Sequence, residues 1–253
     1  MRHLSLDKQF SYVKSWDNLV ELVTNKFDIV ENCLRCSDTL FVKGGSDSED
    51  LKTLIEFSKC ILEKGIELDF PVRGGIAYGN AVLDKEKDLA YGDGLVKAYD
   101  LADRSDWIGT CCEHDLPQVQ CLWDFDLIFV YPVPMKDEIV TFVPAVSWNV
   151  PDYIELRRKT EKFFPASGSQ SFTDWKYSNR IQNTIIFSLY LRMVKFGLIK
   201  AEPSAFPGHP PIYHIYESIN EICHDIHFRK HGLTLTHPPN GGKIFTRDQN
   251  DRL

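Results

Sequence analysis

Apolar residues recur every three or four positions along much of the N-terminal part of the chain. This spacing puts them on one face of a helix and predicts helices over Phe10 to Phe27 and from Ser46 to Gly65. The run from Ile29 to Val42 is instead apolar and β-branched at both ends and polar in the middle. Such a run predicts two strands joined by a tight turn near Asp38.

Shorter strand patterns follow, separated by glycine, proline and charged residues. The charged run at 84–88 is typical of a solvated loop, and the prolines at 132, 134 and 144 favour an edge position in a sheet. In chain order, the pattern predicts strands at Pro71 to Tyr78 and Ala81 to Leu83, a helix through Leu95 to Ala102, a strand at Trp107 to Cys112, and a hairpin of Asp126 to Met135 with Ile139 to Trp148.

Beyond Pro151 the pattern becomes helical, with a proline-rich loop and a frayed tail after His237. The chain is therefore predicted to be an α+β domain at 1–150, with helices on one face of a mainly antiparallel sheet, followed by a helical extension at 151–253. The predicted helices are Tyr153 to Phe164, Ser178 to Phe196 and one near Tyr216 to His231. The apolar side of the second fits either core packing or a dimer face.

Composition narrows the class of protein. The chain has 253 residues and a net charge of −7, with 29 Lys plus Arg against 36 Asp plus Glu, which disfavours nucleic-acid and anionic-membrane partners. No apolar run approaches the about 20 residues that span a bilayer, and the start lacks a signal-peptide pattern. With seven cysteines, an odd number, mostly in apolar surroundings, we expect a reduced, soluble, cytoplasmic protein.

Three features predict a ligand cleft. Glycine weakens a strand, so the pair Gly74 and Gly75 calls for a close approach of another backbone or a ligand. A second turn contains Gly92 and Asp93, and Asp38 lies at the tight turn between two apolar strands. A carboxylate in that position is a candidate metal ligand, although turn aspartates also bond to their own backbone.

Three strings of residues resemble, in order and spacing, the catalytic domain of class III nucleotidyl cyclases, most closely its divergent bacterial and phage-associated branch. They are Cys36-Ser37-Asp38-Thr39, Pro71 to Gly79, and Tyr91 to Leu101, and the resemblance covers about residues 28–112. It implies a ferredoxin-like βαββαβ sheet, a homodimer and two Mg²⁺ or Mn²⁺ ions. The implied reaction converts a nucleoside triphosphate into a 3′,5′-cyclic monophosphate and pyrophosphate. Some bacterial members make cyclic pyrimidine nucleotides in anti-phage signalling, so the base is left open.

The resemblance also implies roles for single residues. Asp38 matches the second metal aspartate, and Asp7 is the candidate for the first, although the family's Phe-x-Asp-Ile-x-Gly-Phe strand has no good match here. Arg73 or Lys97 is expected to contact phosphates. The glycine strings add Gly74, Gly75, Gly92 and Asp93 as nucleotide-binding candidates. The alternative interpretations are a paired, half-exposed Arg73, packing for Gly74 and Gly75, and an ordinary turn for Gly92 to Gly94.

The chain departs from the family on the helix after Gly92. Family enzymes place an asparagine and an arginine where this chain has Val96 and Asp100, and their base-reading lysine and aspartate fall near Leu34 and Leu89. Two hypotheses therefore stand: a divergent cyclase, and an inactive nucleotide-sensing or protein-interaction module with the cyclase fold.

Two clusters with apparent metal-ligand spacing are better explained without a metal. His224, His227 and His231 share one face of a predicted helix but lack a His-Glu-x-x-His signature. Cys33 and Cys36 lie on a predicted strand, where a spacing of three points their side chains to opposite faces.

Overall fold

The computed structural model describes residues 6–27, 32–114, 116, 122, 126–136, 140–160 and 172–196, and strands at 233–236 and 244–247. The predicted helix near Tyr216 to His231, with its histidine cluster, lies outside these residues. The helices are α1 (Leu6–Phe27), α2 (Ser48–Glu67), α3 (Asp93–Arg104), α4 (Tyr153–Thr160) and α5 (Phe172–Lys195). The strands are β1 (Cys33–Cys36), β2 (Thr39–Val42), β3 (Gly74–Ile76), β4 (Val82–Asp84), β5 (Leu89–Tyr91), β6 (Thr110–Cys112), β7 (Ile128–Pro134), β8 (Val140–Val146), β9 (Leu233–Thr236) and β10 (Ile244–Arg247).

Strands β1 and β2 form the predicted hairpin. They pair antiparallel, with Cys36 opposite Thr39, so the turn consists of Ser37 and Asp38. Ser37 has a φ of 58°, as tight hairpin turns require. Helix α1 supports the turn, because the indole N–H of Trp16 donates to the Ser37 carbonyl at 3.2 Å.

Helix α2 is also confirmed, with different ends from those predicted. Its N-cap is Asp47, whose carboxylate accepts from the Asp50 N–H at 2.8 Å. The helix runs past Gly65 to Glu67. Gly65 does not end the helix but permits a close approach, since a Cβ there would lie 2.5 Å from the Phe70 carbonyl oxygen.

The main sheet has the strand order β3-β6-β8-β7. Strands β3 and β6 are parallel and joined through α3, whereas β6–β8 and β8–β7 are antiparallel. The predicted α+β class is therefore confirmed. Prolines 132 and 134 lie on β7 at the edge, as expected, but Pro144 lies on the internal strand β8. Pairing between β6 and β8 is confined to Cys111 opposite Ala145, which leaves room for a proline beside it.

Two hairpins differ from the sequence prediction. The charged run at 84–88 is the turn of a β4–β5 hairpin whose second strand was not predicted. The predicted tail after His237 contains β10, which pairs antiparallel with β9. The intervening Pro-Pro-Asn-Gly-Gly sequence is rich in turn formers and connects two short alternating runs.

Alternate residues of the sheet enter two different hydrophobic clusters. Cys111, Phe129 and Ala145 lie in the largest cluster, whereas their neighbours Cys112, Ile128 and Val146 lie in another. This is the alternation expected of a sheet with two buried faces. Helical residues contribute to both: Phe187 and Tyr190 of α5 to the first, and Leu51 and Ile55 of α2 to the second.

Helix α5 packs into the core. Ile181, Phe187 and Tyr190 are buried, and Phe187 contacts the rings of Trp107 and Phe129 at centroid distances of 4.5 and 5.5 Å. On the predicted apolar face, Ile181 is buried and Ile185 and Met193 pack against the core. Leu189 and Phe196 are exposed, so core packing accounts for part of this face and the dimer interpretation stays a prediction. The predicted helical extension shares one hydrophobic core with the sheet. Among the described helices, none is both long and apolar enough to cross a membrane.

Candidate functional site

A cleft of about 950 Å³ is lined by residues from all three of the sequence strings that carry the family resemblance. Its lining includes Asp38 from the β1–β2 turn, the segment from Arg73 to Asn80 after α2, and Asp93 to Leu95 at the start of α3. Along the sequence the first string ends at Thr39, the second runs from Pro71 to Gly79, and the third begins at Tyr91. Of the candidate residues, Asp38, Arg73, Gly74, Gly75, Asp93 and Lys97 line this cleft, whereas Asp7 and Gly92 are not part of the described lining.

Glycine allows the floor of this cleft to form from backbone alone. A Cβ at Gly79 would lie 2.6 Å from the Gly94 nitrogen, and one at Gly92 would clash with the Asn80 carbonyl oxygen. Gly92 also has a φ of 133°, a conformation that side chains disfavour. The glycines at the start of α3 are thus required for close contact with the segment after β3.

Asp93 ties this segment to the first turn of α3. Its Oδ1 accepts from the Asn80 N–H at 2.9 Å, and the Gly94 N–H donates to the Asn80 carbonyl at 3.1 Å. The hydrogen bond from Asn80 lowers the pKa of Asp93. The carboxylate therefore stays ionised while it orders the turn.

Lys97 lies one turn further along α3, at the same wall. Its Nζ donates to the Tyr78 carbonyl at 3.2 Å and lies 3.3 Å from Oε1 of Glu113. Glu113 in turn accepts from the Tyr78 N–H at 3.2 Å. The Lys97 side chain remains 47% exposed, so its ammonium is both positioned by the protein and open to solvent.

Gly74 and Gly75 sit where β3 meets its neighbours. A Cβ at Gly75 would clash with the Ala98 carbonyl oxygen of α3, and one at Gly74 would lie 2.7 Å from Oγ1 of Thr110. These contacts favour the packing interpretation of the pair. The glycines let α3 lie directly on the strand that borders the cleft.

Arg73 is engaged at the C-terminal end of α3. Its Nη1 donates to the Asp103 and Ser105 carbonyls at 3.0 and 3.1 Å, and its Nη2 donates to Oδ1 of Asp103 at 2.9 Å. Burial, reinforced by nearby Arg180, lowers the pKa of Arg73. The geometry favours the paired, half-exposed interpretation of this arginine.

Asp38 is exposed and borders the cleft. It makes no hydrogen bond or ion pair with any residue that the structure describes, so its carboxylate is not used to hold the turn. The other carboxylates in the described lining are Asp93, which accepts from Asn80, and Asp103, which pairs with Arg73. Of these three, Asp38 is the one available to a cation.

The candidate for the first metal aspartate, Asp7, has a different setting. It lies in the first turn of α1 and not on a strand, and its side chain is outside the described part of the structure. Within the described residues, no group of three or more His, Cys, Asp or Glu side chains is gathered for a metal ion.

The family's charge-stabilising positions lie on the outer side of α3. Val96 is 58% exposed, and Asp100 is also exposed. At the base-reading positions, Leu34 is buried in β1 and Leu89 is exposed on β5. Arg35 and Asp88 are the sequence neighbours of Leu34 and Leu89, and Arg35 pairs with Asp17. Asp88 lies in the β4–β5 turn, with a φ of 52°.

Several residues at the cleft were not singled out from the sequence. They are Tyr78, Asn80, Tyr99 and Glu113, whose side chains or backbone build the wall around the start of α3. The position of Tyr78 and Asn80 beside Gly79 was the available signal. Comparison of the chain with protein-family models, curated proteins and solved structures found no match in any of the three.

Proposed function

We propose that this chain is a divergent nucleotidyl cyclase-like protein that binds a nucleoside triphosphate in the cleft. The observation that carries the proposal is the convergence of the three resembling strings on one concave site of about 950 Å³. That volume lies within the range of small-molecule sites, about 300–1,000 Å³. The ferredoxin-like arrangement of the family remains part of the proposal.

The start of α3 is the place for the triphosphate. The helix dipole is positive at this end and favours an anion, while the Gly94 N–H is already used by the Asn80 carbonyl. Lys97 adds a cation on the same wall, within 3.3 Å of Glu113. A polyphosphate competes with Glu113 and the Tyr78 carbonyl for this ammonium.

The proposed reaction is attack of the ribose 3′-hydroxyl oxygen on the α-phosphorus. The new ester bond closes the cyclic monophosphate, the bond to the β-phosphate oxygen breaks, pyrophosphate leaves, and the hydroxyl proton passes to solvent. Mg²⁺ or Mn²⁺ supplies charge neutralisation for the polyphosphate in this chemistry. Asp38 has the free carboxylate that such a cation needs, and Asp7 is the second ligand in the proposal. A homodimer completes the site.

A second candidate is a nucleotide sensor without turnover. It is favoured by Val96 and Asp100, which are exposed where the family stabilises transition-state charge. Valine donates no hydrogen bond, and a carboxylate repels a polyphosphate. In this reading the fold and the cleft serve binding, and the bound nucleotide changes contacts with a partner.

The test is incubation of the purified chain with ATP, GTP, CTP and UTP in Mn²⁺, followed by mass spectrometry for cyclic monophosphates. The cyclase proposal expects a product that disappears in Asp38→Asn and persists in Glu86→Gln, a matched change at an exposed turn away from the cleft. Nucleotide binding without product supports the sensor. Absence of both binding and product from the intact wild-type chain contradicts both candidates.

A further inference from the structure

We propose that Tyr78 and Tyr99 are the surfaces on which the nucleotide base stacks. This inference rests on the proposed nucleotide site and names the part of the ligand that these residues contact. It assigns recognition to the aromatic character of the base and not to its hydrogen-bonding edge. The ligand class is therefore nucleotides in general.

Both tyrosines belong to the lining of the cleft and are half exposed. The exposed fraction is 52% for Tyr78 and for Tyr99. Other aromatic residues of the lining are already used in packing: Tyr12 and Trp16 contact the ring of Phe70 at 4.4 and 5.2 Å. Neither Tyr78 nor Tyr99 has a ring contact with any residue that the structure describes. About half of each residue is therefore accessible to a ligand, and neither ring is stacked on another described ring.

The main chain beneath Tyr78 is held firmly. Its N–H donates to Glu113 at 3.2 Å, and its carbonyl accepts from Lys97 at 3.2 Å. Gly79, the next residue, contacts the backbone of Gly94. A tyrosine on a fixed backbone loses little conformational entropy when it binds, because only two side-chain torsions remain.

Tyr99 is fixed through α3. Its neighbour Ala98 has its carbonyl against Gly75 of β3, so the helix cannot shift on the sheet without separating this contact. Lys97 precedes Tyr99 by two residues and lies on the lining as well. Side chains two residues apart leave a helix on different sides, so Lys97 and Tyr99 line the cleft from opposite sides of α3.

The residues at the family's base-reading positions also favour recognition of the base by stacking and not by hydrogen bonds. Leu34 is buried and Leu89 lies on β5 outside the cleft lining, and a leucine side chain has no hydrogen-bonding group. Stacking on aromatic rings tolerates any base, since each has a π face. We therefore expect affinities for ATP and CTP to differ less than those of an enzyme that reads base edges.

The experiment measures binding of ATP, CTP and inorganic tripolyphosphate to the full chain by calorimetry. Tyr78→Leu and Tyr99→Leu should each weaken nucleotide binding by about tenfold, within the range found for loss of base stacking. Tripolyphosphate affinity should stay unchanged, and Tyr78→Phe and Tyr99→Phe should retain nucleotide binding. Tyr91→Leu is the matched control, because Tyr91 is 59% exposed but outside the cleft lining.

The outcomes separate the two proposals. Unchanged ATP affinity in both leucine variants overturns the stacking inference while leaving the nucleotide site in place. An equal loss of tripolyphosphate binding also overturns it, because the tyrosines then act on the phosphate region or on folding. A wild-type chain that binds neither ATP nor tripolyphosphate contradicts the proposed function together with the inference.

Discussion

The two ends of α3 are held to the rest of the protein in different ways. At the C-terminal end, Arg73 and Lys136 both bind the Asp103 carboxylate, at 2.9 and 2.8 Å. At the N-terminal end, backbone contacts through Gly79 and Gly92 bring the helix against the segment after β3. The first arrangement uses its charges within the protein. The second leaves a half-exposed lysine beside a cleft, near the positive end of the helix dipole, which suits an anionic ligand.

The largest effect is expected at the N-terminal end, from Gly92→Ala. The new Cβ clashes with the Asn80 carbonyl, and the φ of 133° is unfavourable for alanine. We expect a loss of about 3 kcal/mol in the free energy of unfolding, measured by urea denaturation. Gly94→Ala is the control with a milder expected effect. Its Cβ would lie 3.0 Å from Gly79, and alanine favours the helix, so the loss of stability should be smaller than for Gly92→Ala. Equal stability of Gly92→Ala and wild type contradicts this account of the contact.

Arg73→Met is expected to cost about 2 kcal/mol of stability, because two main-chain carbonyls lose their donor and the Asp103 carboxylate keeps only Lys136. Tripolyphosphate binding, corrected for the folded fraction, should be unchanged. Calorimetry at a temperature where the variant is folded checks this. A large specific loss of binding restores the phosphate-contacting role predicted for Arg73.

Lys97→Met should show the reverse behaviour. Its ion pair with Glu113 is half exposed, so the loss of stability should be no more than about 0.5 kcal/mol. Binding of tripolyphosphate should weaken by about tenfold, as expected for removal of one charge-assisted contact. If Lys97→Met and Arg73→Met have the same effects on stability and on tripolyphosphate binding, the proposed difference between the two ends of α3 is wrong.

The smallest effect is a pH dependence at the C-terminal end. Hydrogen bonding to Lys136, together with Arg73, lowers the pKa of Asp103 below the ordinary 3.8. The ionised Asp103 carboxylate therefore stabilises the fold at pH values above 3.8. This stabilisation is lost as the pH falls through the lowered pKa of the folded state. Asp103→Asn should reduce stability by about 1 kcal/mol or less at pH 7, and by progressively less as the pH falls below 3.8, in urea titrations. A difference that does not change with pH argues against the ion pairs.

Local patterns predicted the elements that depend on neighbours in sequence. The β1–β2 hairpin, α2, α3 and the β7–β8 hairpin follow from periodicity and turn chemistry. The parallel pairing of β3 with β6 was not predicted, because strands of three residues carry little pattern and their partners are distant in sequence. The glycine-rich sequence predicted a close approach at Gly75, but only the fold identifies the Ala98 carbonyl as its partner.

The candidate site was predictable to a similar degree. The sequence placed Asp38 on a hairpin turn, and the structure confirms that position at the cleft. It left two interpretations of Arg73 open, since its partners come from α3, 30 residues later. Tyr78 and Tyr99 gave no signal of their own, because an aromatic residue on a strand or helix is usually explained by core packing.

The most direct test of nucleotide binding at this cleft is photolabelling of the full chain with an azido derivative of ATP, followed by tryptic peptide mapping. Nucleotide binding at the cleft should place label in the peptides at 74–85 and 98–104, which contain Tyr78 and Tyr99, with protection by unlabelled ATP. Protectable label confined to peptides without cleft-lining residues would contradict the assignment of the nucleotide to this site.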